Sequence, residues 1–329
     1  MCVKKNSWIL IICGTILLSA IAAVVGFFCG KASVPKTIQI RDTSDTYQYV
    51  RPLILVDNAS STFPELNPLK DTLSSYISQA EKSGKAEDIS VYYRDMITGE
   101  WTGVNENDSY SPSSMLKVGV LMAYLKIAET DPDILDQEIT YTPTDDSGQY
   151  FKPMHVLTAG EYTVRDLLIQ MIQQSDNDAL DALNTAHPQE LLSVFNALNI
   201  PYPSVNSPTD FMSPELYSRM FRALYNATYL PDVESEQALE LLMQTDFTQG
   251  LVAGVATSTP VAHKFGEKTN IVNGTVIDHE LHDCGIVYYS NDPYFLCVMT
   301  KGQDFPTLEN IISDISKSVF NYVSSKNQS

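Results

Sequence analysis

Hydrophobic residues are most concentrated near the N terminus of the chain. Residues 8–29 carry no charged side chain, and these 22 residues, at about 1.5 Å each in a helix, are long enough to span the hydrocarbon of a bilayer. The pattern predicts a transmembrane anchor. A cleaved secretory signal is the alternative, although its apolar region would be shorter. Lys4 and Lys5 before the run are matched by Lys31 and Lys36 after it, so the positive-inside rule does not fix the orientation.

A polar segment without helical periodicity follows this apolar run. Residues 30–62 have prolines at their margins, which is typical of a stalk that lifts a domain off a membrane. The pattern therefore predicts four regions: a tip at residues 1–7, the anchor at 8–29, the stalk at 30–62 and a folded domain at 63–329.

The folded region begins with a predicted helix and hairpin. Apolar residues recur at helical spacing from Leu66 to Ala80, and Gly84 ends this helix. Residues 89–95 and 100–104 have the composition of strands and are joined by a turn at Thr98-Gly99.

The C-terminal end repeats this composition in reverse order. Residues 285–289 and 294–300 predict a second hairpin, and apolar positions from Ile311 to Val323 predict a terminal helix. Nearly every segment between about 114 and 255 is predicted helical. We therefore expect an α+β fold, in which one antiparallel sheet is flanked by the N- and C-terminal helices and joined to an all-helical subdomain.

Charge and cysteine content narrow the possible partners. The 40 acidic and 21 basic side chains give a net charge of -19, and such a surface repels the phosphates of nucleic acids. No nucleic-acid partner is expected. Of the five cysteines, Cys284 and Cys297 are the two in the folded region, so it has no metal-ligand cluster. We expect two half-buried strand residues there, with a disulfide as the alternative.

The first candidate for chemistry is a serine followed by a lysine. Ser114 and Lys117 lie one turn apart at the start of a predicted apolar helix, so they face the same side. A hydroxyl needs a neighbouring base to become a nucleophile, and a lysine amine can serve when burial and nearby cations lower its pKa. Taken alone the pattern is weak, because an ordinary surface helix can begin in this way.

Two further motifs follow in the chain. Ser175-Asp-Asn177 comes after a predicted helix, where Ser175 can relay a proton and the Asn177 amide can both donate and accept. Lys264-x-Gly266 ends a predicted strand, where Lys264 supplies a positive charge and Gly266 lets a substrate approach the backbone. An ordinary helix-ending turn and an ordinary strand end are the alternatives.

Together, in order and in setting, the three motifs resemble those of class A β-lactamases and penicillin-binding proteins. The resemblance covers about residues 66–325. It implies a β-lactamase/transpeptidase-like fold, in which Ser114 attacks the carbonyl of a β-lactam or an acyl-D-Ala-D-Ala substrate and becomes acylated. It also implies the roles of base for Lys117, proton shuttle for Ser175, positioner of the substrate amide for Asn177, partner of the substrate carboxylate for Lys264, and oxyanion-hole N–H donors for Ser114 and Glu267. No cofactor or metal is implied.

The sequence departs from the family pattern after the second motif. In class A β-lactamases a Glu on a loop between the second and third motifs activates the water that removes the acyl group. The corresponding segment, 199–214, has Asp210 as its one acidic residue, and we expect Asp210 to be structural. Ser213 and Pro214 predict the start of a helix whose first turn contains Glu215, a poor substitute for the missing Glu.

The third motif departs as well. Phe265 replaces a residue that normally carries a hydroxyl, and Glu267 adds a negative charge after the glycine. Weak carboxylate binding is therefore expected.

These observations predict a membrane-anchored serine hydrolase that is acylated by β-lactams and hydrolyses the acyl-enzyme slowly. Because peptidoglycan and β-lactams are met outside the cytoplasm, the resemblance implies a single-pass protein with residues 1–7 in the cytoplasm. The alternatives are a D,D-peptidase acting on peptidoglycan stems and a catalytically silent penicillin-binding sensor.

Overall fold

The computed structural model describes residues 39–41, 47–56, 63–144, 149–187, 190–201 and 209–326. The predicted anchor at 8–29 lies outside them. Within the described residues, no helix combines the length and the hydrophobicity needed to cross a membrane.

The described residues form nine strands and eight α-helices. The strands are β1 (Gln39–Arg41), β2 (Leu53–Val56), β3 (Asp88–Asp95), β4 (Trp101–Val104), β5 (Glu138–Tyr141), β6 (Gly160–Thr163), β7 (Val261–Val272), β8 (Thr275–Val287) and β9 (Tyr294–Gly302). The α-helices are α1 (Asn67–Lys82), α2 (Lys117–Ala128), α3 (Val164–Gln173), α4 (Asn177–Ala186), α5 (Glu190–Ala197), α6 (Pro214–Tyr225), α7 (Asp232–Leu242) and α8 (Phe305–Lys326).

Five strands from the two ends of the domain form one antiparallel sheet. Their order is β4-β3-β9-β8-β7, and the ends of the chain meet where β3 pairs with β9, for example at Val91 opposite Val298. The predicted shared sheet is therefore confirmed. Strand β7, which carries the third motif, lies at one edge.

Alternating residues of the sheet face two different hydrophobic layers. On β9, Leu296 and Val298 pack with buried residues of α1 and α8 such as Leu73 and Ile315. Phe295 and Met299 point to the other face and pack with buried residues of the helical subdomain. This arrangement confirms the predicted α+β fold with a separate helical part.

The prediction of an almost entirely helical stretch from 114 to 255 was wrong in one place. Strands β5 and β6 pair antiparallel within it, with Ile139 opposite Tyr162. Each strand has only four residues, which is too short for a period of two to be distinguished from a helical period.

The two cysteines of the sheet form a disulfide, and the expectation of half-buried free thiols was wrong. Cys284 on β8 and Cys297 on β9 are directly opposite in the strand register, with Cα atoms 4.0 Å apart and the sulfurs bonded. Both side chains are fully buried. The sequence indicates two strands but not which residues face each other, so it left the pairing open.

Part of the segment predicted as a stalk packs on the domain. The carboxylate of Glu236 accepts hydrogen bonds from the backbone N–H groups of Gln48, Tyr49 and Val50 at 2.6–2.9 Å. Val50 is buried, and the Arg51 N–H donates to the carbonyl of Tyr225 at 2.8 Å. Residues 47–51 are thus fixed to the helical subdomain, whereas the other boundaries of the predicted stalk and anchor stay predictions.

Candidate active site

Ser114 lies in a tight turn that leads into α2. The turn is a 3-10 helix, Ser113–Leu116, and α2 begins only at Lys117, whereas the sequence predicted one continuous helix. Met115 anchors the turn in the core, because its side chain is fully buried and its carbonyl accepts a hydrogen bond from the Tyr217 hydroxyl at 3.1 Å. Ser114 remains half-exposed at the surface of the cleft.

Lys117 connects the first two motifs. Its Nζ donates to Ser114 Oγ at 2.8 Å, to the Ser175 carbonyl at 2.6 Å and to Asn177 Oδ1 at 2.7 Å. The side chain is fully buried, so it is held among protein oxygens. The structure therefore brings the predicted site residues Ser114 and Asn177 together on Lys117.

Ser175 stands between two lysines. Its Oγ accepts from Lys264 Nζ at 2.9 Å and from Lys117 Nζ at 3.3 Å. The residue adopts a positive φ of 55°, an uncommon conformation for a residue other than glycine. The intervening Asp176 is structural, because it caps α4 by accepting from the Ala179 N–H and it also accepts from the Tyr141 hydroxyl.

Lys264 reaches the same network from the sheet. It is fully buried, and its Nζ also donates to the Phe265 carbonyl at 3.2 Å and lies 4.0 Å from the centre of the Phe265 ring. Burial lowers the pKa of Lys264 well below its usual value, and the charge of Lys117 lowers it further. Lys264 is therefore held in a setting that disfavours its charged form.

Gly266 brings the sheet against the turn of Ser114. A Cβ atom at this position would lie 2.7 Å from the Pro112 carbonyl oxygen and 2.9 Å from Met115 Cγ. The sequence predicted a glycine that admits substrate, whereas the structure places the protein's own backbone there. This close approach packs β7 against the turn that contains Ser114, whereas the oxyanion-hole role of the Ser114 and Glu267 N–H groups stays a prediction.

The Glu267 side chain was not predicted to have a structural role. Its carboxylate accepts from the backbone N–H groups of Tyr150 at 2.8 Å and Phe151 at 3.0 Å. Burial raises the pKa of Glu267, and these hydrogen bonds act in the opposite direction. We call residues 150–155 the strap, because Glu267 holds one end of this segment to β7.

Gln174 holds the other end of the strap. Its side-chain oxygen accepts from the N–H groups of Met154 at 2.8 Å and His155 at 3.1 Å. Gln174 directly precedes Ser175, and Glu267 directly follows Gly266, so the strap joins the second motif to the third. Position beside a motif was the only sequence signal for either residue.

The two acids next in the chain, Asp210 and Glu215, are engaged in ion pairs. Asp210 pairs with Lys268 at 3.2 Å, and Glu215 pairs with Arg219 at 3.1 Å in the first turns of α6. Ser213 caps that helix by accepting from the Leu216 N–H. The structural interpretation of this segment agrees with these contacts, although residues 202–208 between them lie outside the described part.

Solved structures with this fold include penicillin-binding and β-lactamase examples. PBP-A has 18% sequence identity and a TM-score of 0.65, with 78% of this chain and 97% of that chain covered. A class A β-lactamase from Mycobacterium abscessus has 22% identity and a TM-score of 0.62, with 77% and 98% covered. A β-lactamase from Xanthomonas campestris has 18% identity and a TM-score of 0.64, with 78% and 98% covered. At these identities the similarity shows a β-lactamase/transpeptidase-like fold.

Sequence comparison gives the family directly. No curated protein matches the chain, but the family model described as the beta-lactamase enzyme family matches residues 69–323. This range contains all three motifs and most of both terminal helices of the domain. With the motifs converging on one serine and the family match spanning the whole domain, the chain belongs to the beta-lactamase enzyme family.

Proposed function

We propose that the protein is an extracytoplasmic serine hydrolase in which β-lactams acylate Ser114 and the acyl-enzyme is hydrolysed slowly. The observation that carries this proposal is the contact of Lys117 Nζ with Ser114 Oγ at 2.8 Å inside a network that also contains Ser175 and Asn177. A nucleophile, a base and a second proton carrier in contact are the parts that acyl transfer requires.

The network supports a balanced acylation step. With Lys117 neutral, Ser114 Oγ gives its proton to Lys117 Nζ as it attacks the substrate carbonyl. The backbone N–H groups of Ser114 and Glu267 stabilise the oxyanion. As the amide bond breaks, Ser175 Oγ protonates the leaving nitrogen and takes a proton back from a lysine ammonium. The Asn177 amide positions the acyl side of the substrate.

Slow hydrolysis is proposed from the residues that would have to activate water. Residues 199–209 contain no Asp or Glu, and the nearest acids of that segment, Asp210 and Glu215, pair with Lys268 and Arg219. Without a carboxylate that takes a proton from water, the acyl-enzyme keeps the barrier that general-base catalysis would lower by a factor of about 10²–10⁴.

The missing Glu also supports a second candidate, a D,D-peptidase acting on peptidoglycan stems. A mutant of PBP-A, 19% identical with a TM-score of 0.64, was solved as an acyl-enzyme complex with penicillin G. A peptidase of this kind would also accumulate a penicillin adduct. Release of D-Ala from a diacyl-D-Ala-D-Ala peptide, with little β-lactam turnover, would identify it.

Location is a further part of the proposal. The uncharged run at 8–29 supports a single membrane-spanning anchor, and the substrates that the family's chemistry suggests lie outside the cytoplasm. Protease digestion of intact cells carrying the full chain would remove the domain if it is extracytoplasmic and leave it intact if it is cytoplasmic.

The acylation test uses a fluorescent penicillin and mass spectrometry of the labelled peptide. Wild type and Ser113→Ala should form an adduct on Ser114, whereas Ser114→Ala should form none. Ser113 is a matched control because it lies in the same turn. An adduct lifetime of hours supports slow hydrolysis, and one of seconds contradicts it. If the folded wild type forms no adduct, the proposed acylation is wrong and a catalytically silent binding domain is the remaining interpretation.

A further inference from the structure

We propose that the site selects acyl donors whose leaving group carries no carboxylate, so that an ester- or amide-capped donor reacts in preference to the free acid. This inference rests on the proposed acylation of Ser114. It reverses the expectation from the family resemblance, in which Lys264 binds a substrate carboxylate.

The first step concerns Lys264, whose ammonium is turned inward. Its Nζ donates to Ser175 Oγ and the Phe265 carbonyl at 2.9 and 3.2 Å, and the Phe265 ring covers it at 4.0 Å. The side chain has no solvent-exposed surface. A side chain with these partners and no exposed surface belongs to the proton network and is not open to an external anion.

The second step concerns Phe265, which has no hydroxyl to offer a carboxylate. Its ring stacks on Phe247 with centroids 4.3 Å apart and meets Phe151 of the strap edge-on at 4.9 Å. The ring is almost fully buried. Because Phe247 and Phe151 both pack against its ring, Phe265 cannot turn away to expose Lys264 without disrupting this cluster.

The third step concerns the charge of Glu267. The carboxylate follows the motif on the same strand, and two N–H groups of the strap fix it in place. A carboxylate on the substrate would therefore approach the immobile negative charge of Glu267. The next lysine on β7, Lys268, does not offset this charge, because it pairs with Asp210 at 3.2 Å and lies 3.6 Å from Glu280.

All three features disfavour the binding of a substrate carboxylate. Lys264 is covered, position 265 has no hydroxyl, and the fixed carboxylate of Glu267 directly follows the motif that binds a carboxylate in the family pattern. The net charge of -19 further disfavours the approach of an anionic donor. A donor that is uncharged at this point avoids every one of these penalties.

The test compares penicillin G with its methyl ester, which differ only at the carboxylate. The rate of adduct formation on Ser114 is measured by mass spectrometry for each compound. The wild type should react with the ester at least as fast as with the acid. Glu267→Gln keeps an acceptor oxygen for the strap and removes the charge, and we expect it to raise the acid-to-ester rate ratio about tenfold. Phe265→Thr should raise the same ratio.

Asp136→Asn is the matched control, because it also removes one negative charge, from a side chain that is 73% exposed. It should leave the ratio unchanged. A wild type that prefers the acid tenfold, or equal ratios in Glu267→Gln and Asp136→Asn, overturns the inference while acylation itself stands. If neither compound modifies Ser114, the proposed function fails and the inference fails with it. Thermal unfolding shows whether each variant is folded.

Discussion

Replacing Gly266 by alanine separates two explanations for this glycine. If the glycine only admits substrate, a methyl group there should slow acylation and leave the stability unchanged. The structure predicts a different result, because the new Cβ would lie 2.7 Å from the Pro112 carbonyl oxygen and 3.4 Å from the Met115 backbone nitrogen. Backbone atoms cannot move aside as the end of a flexible side chain can.

The size of the effect follows from these distances. Relief of the carbonyl contact requires β7 and the Ser114 turn to separate by about half an ångström, and overpacking of this kind costs about 1–3 kcal/mol. The same shift moves the backbone N–H of Glu267, the proposed oxyanion-hole donor, away from Ser114. Misplacement of about 1 Å can cost a factor of about 10² in rate, so we expect a loss of about tenfold or more in acylation.

Two assays and one control variant distinguish the backbone contact of Gly266 from substrate access. Urea unfolding should give a free energy of unfolding lower by about 1–3 kcal/mol for Gly266→Ala, together with the slower acylation of Ser114. Gly160→Ala is the control, because its Cβ would meet only the Tyr162 side chain, at 3.5 Å. Wild-type stability with slow acylation would refute the backbone contact in favour of substrate access, and an unaffected variant would refute both explanations.

Three other changes test the remaining parts of the structure. Lys117→Met should slow labelling of Ser114 by a factor of about 10²–10⁴, since the base is lost while the side-chain volume is kept; a labelling time course measures it. Replacing both Cys284 and Cys297 by alanine should lower the free energy of unfolding by about 3 kcal/mol, measured in urea. Burial alone would raise the pKa of Glu280, but hydrogen bonds from His282 and Asn270 outweigh it and give a pKa of about 2. The charged Glu280 therefore stabilises the fold fully above the unfolded-state pKa near 4.5, and this stabilisation is lost as the pH falls toward 2. Urea unfolding of Glu280→Gln should accordingly show a smaller decline in stability between pH 5 and 2 than the wild type shows.

The contact between Ser114 and Lys117 was predictable because this motif is local. Ser114 and Lys117 are three residues apart, and a single turn places them together whatever the rest of the fold does. Their convergence with Lys264 depends on long-range packing, and it could be predicted only from the resemblance to a family. The shared sheet was predictable from composition, since strands at both ends of a domain need partners.

Contacts that depend on the register between paired strands could not be predicted from the sequence. Strand alternation predicts which face a cysteine occupies, but a pairing such as Cys284 with Cys297 depends on the exact offset between β8 and β9. The strap was missed for a related reason. Its hydrogen bonds join backbone N–H groups to Gln174 and Glu267, and backbone donors leave no trace in the identity of the residues that carry them.

Ser175 explains how two buried lysines can serve one reaction. A hydroxyl has two acceptor positions and one proton, and its two acceptor positions face Lys264 and Lys117, at 2.9 and 3.3 Å. With both acceptor positions occupied, its proton is available for the leaving nitrogen of the proposed reaction. Acylation needs Lys117 neutral, so the proton that Ser175 donates is replaced from Lys264 or from Lys117 after it has deprotonated Ser114. Burial and the charge of Lys117 lower the pKa of Lys264, which favours the release of its proton to Ser175. Every proton needed to form the acyl-enzyme is thus present within the network, whereas residues 199–209 supply no carboxylate for the attack of water.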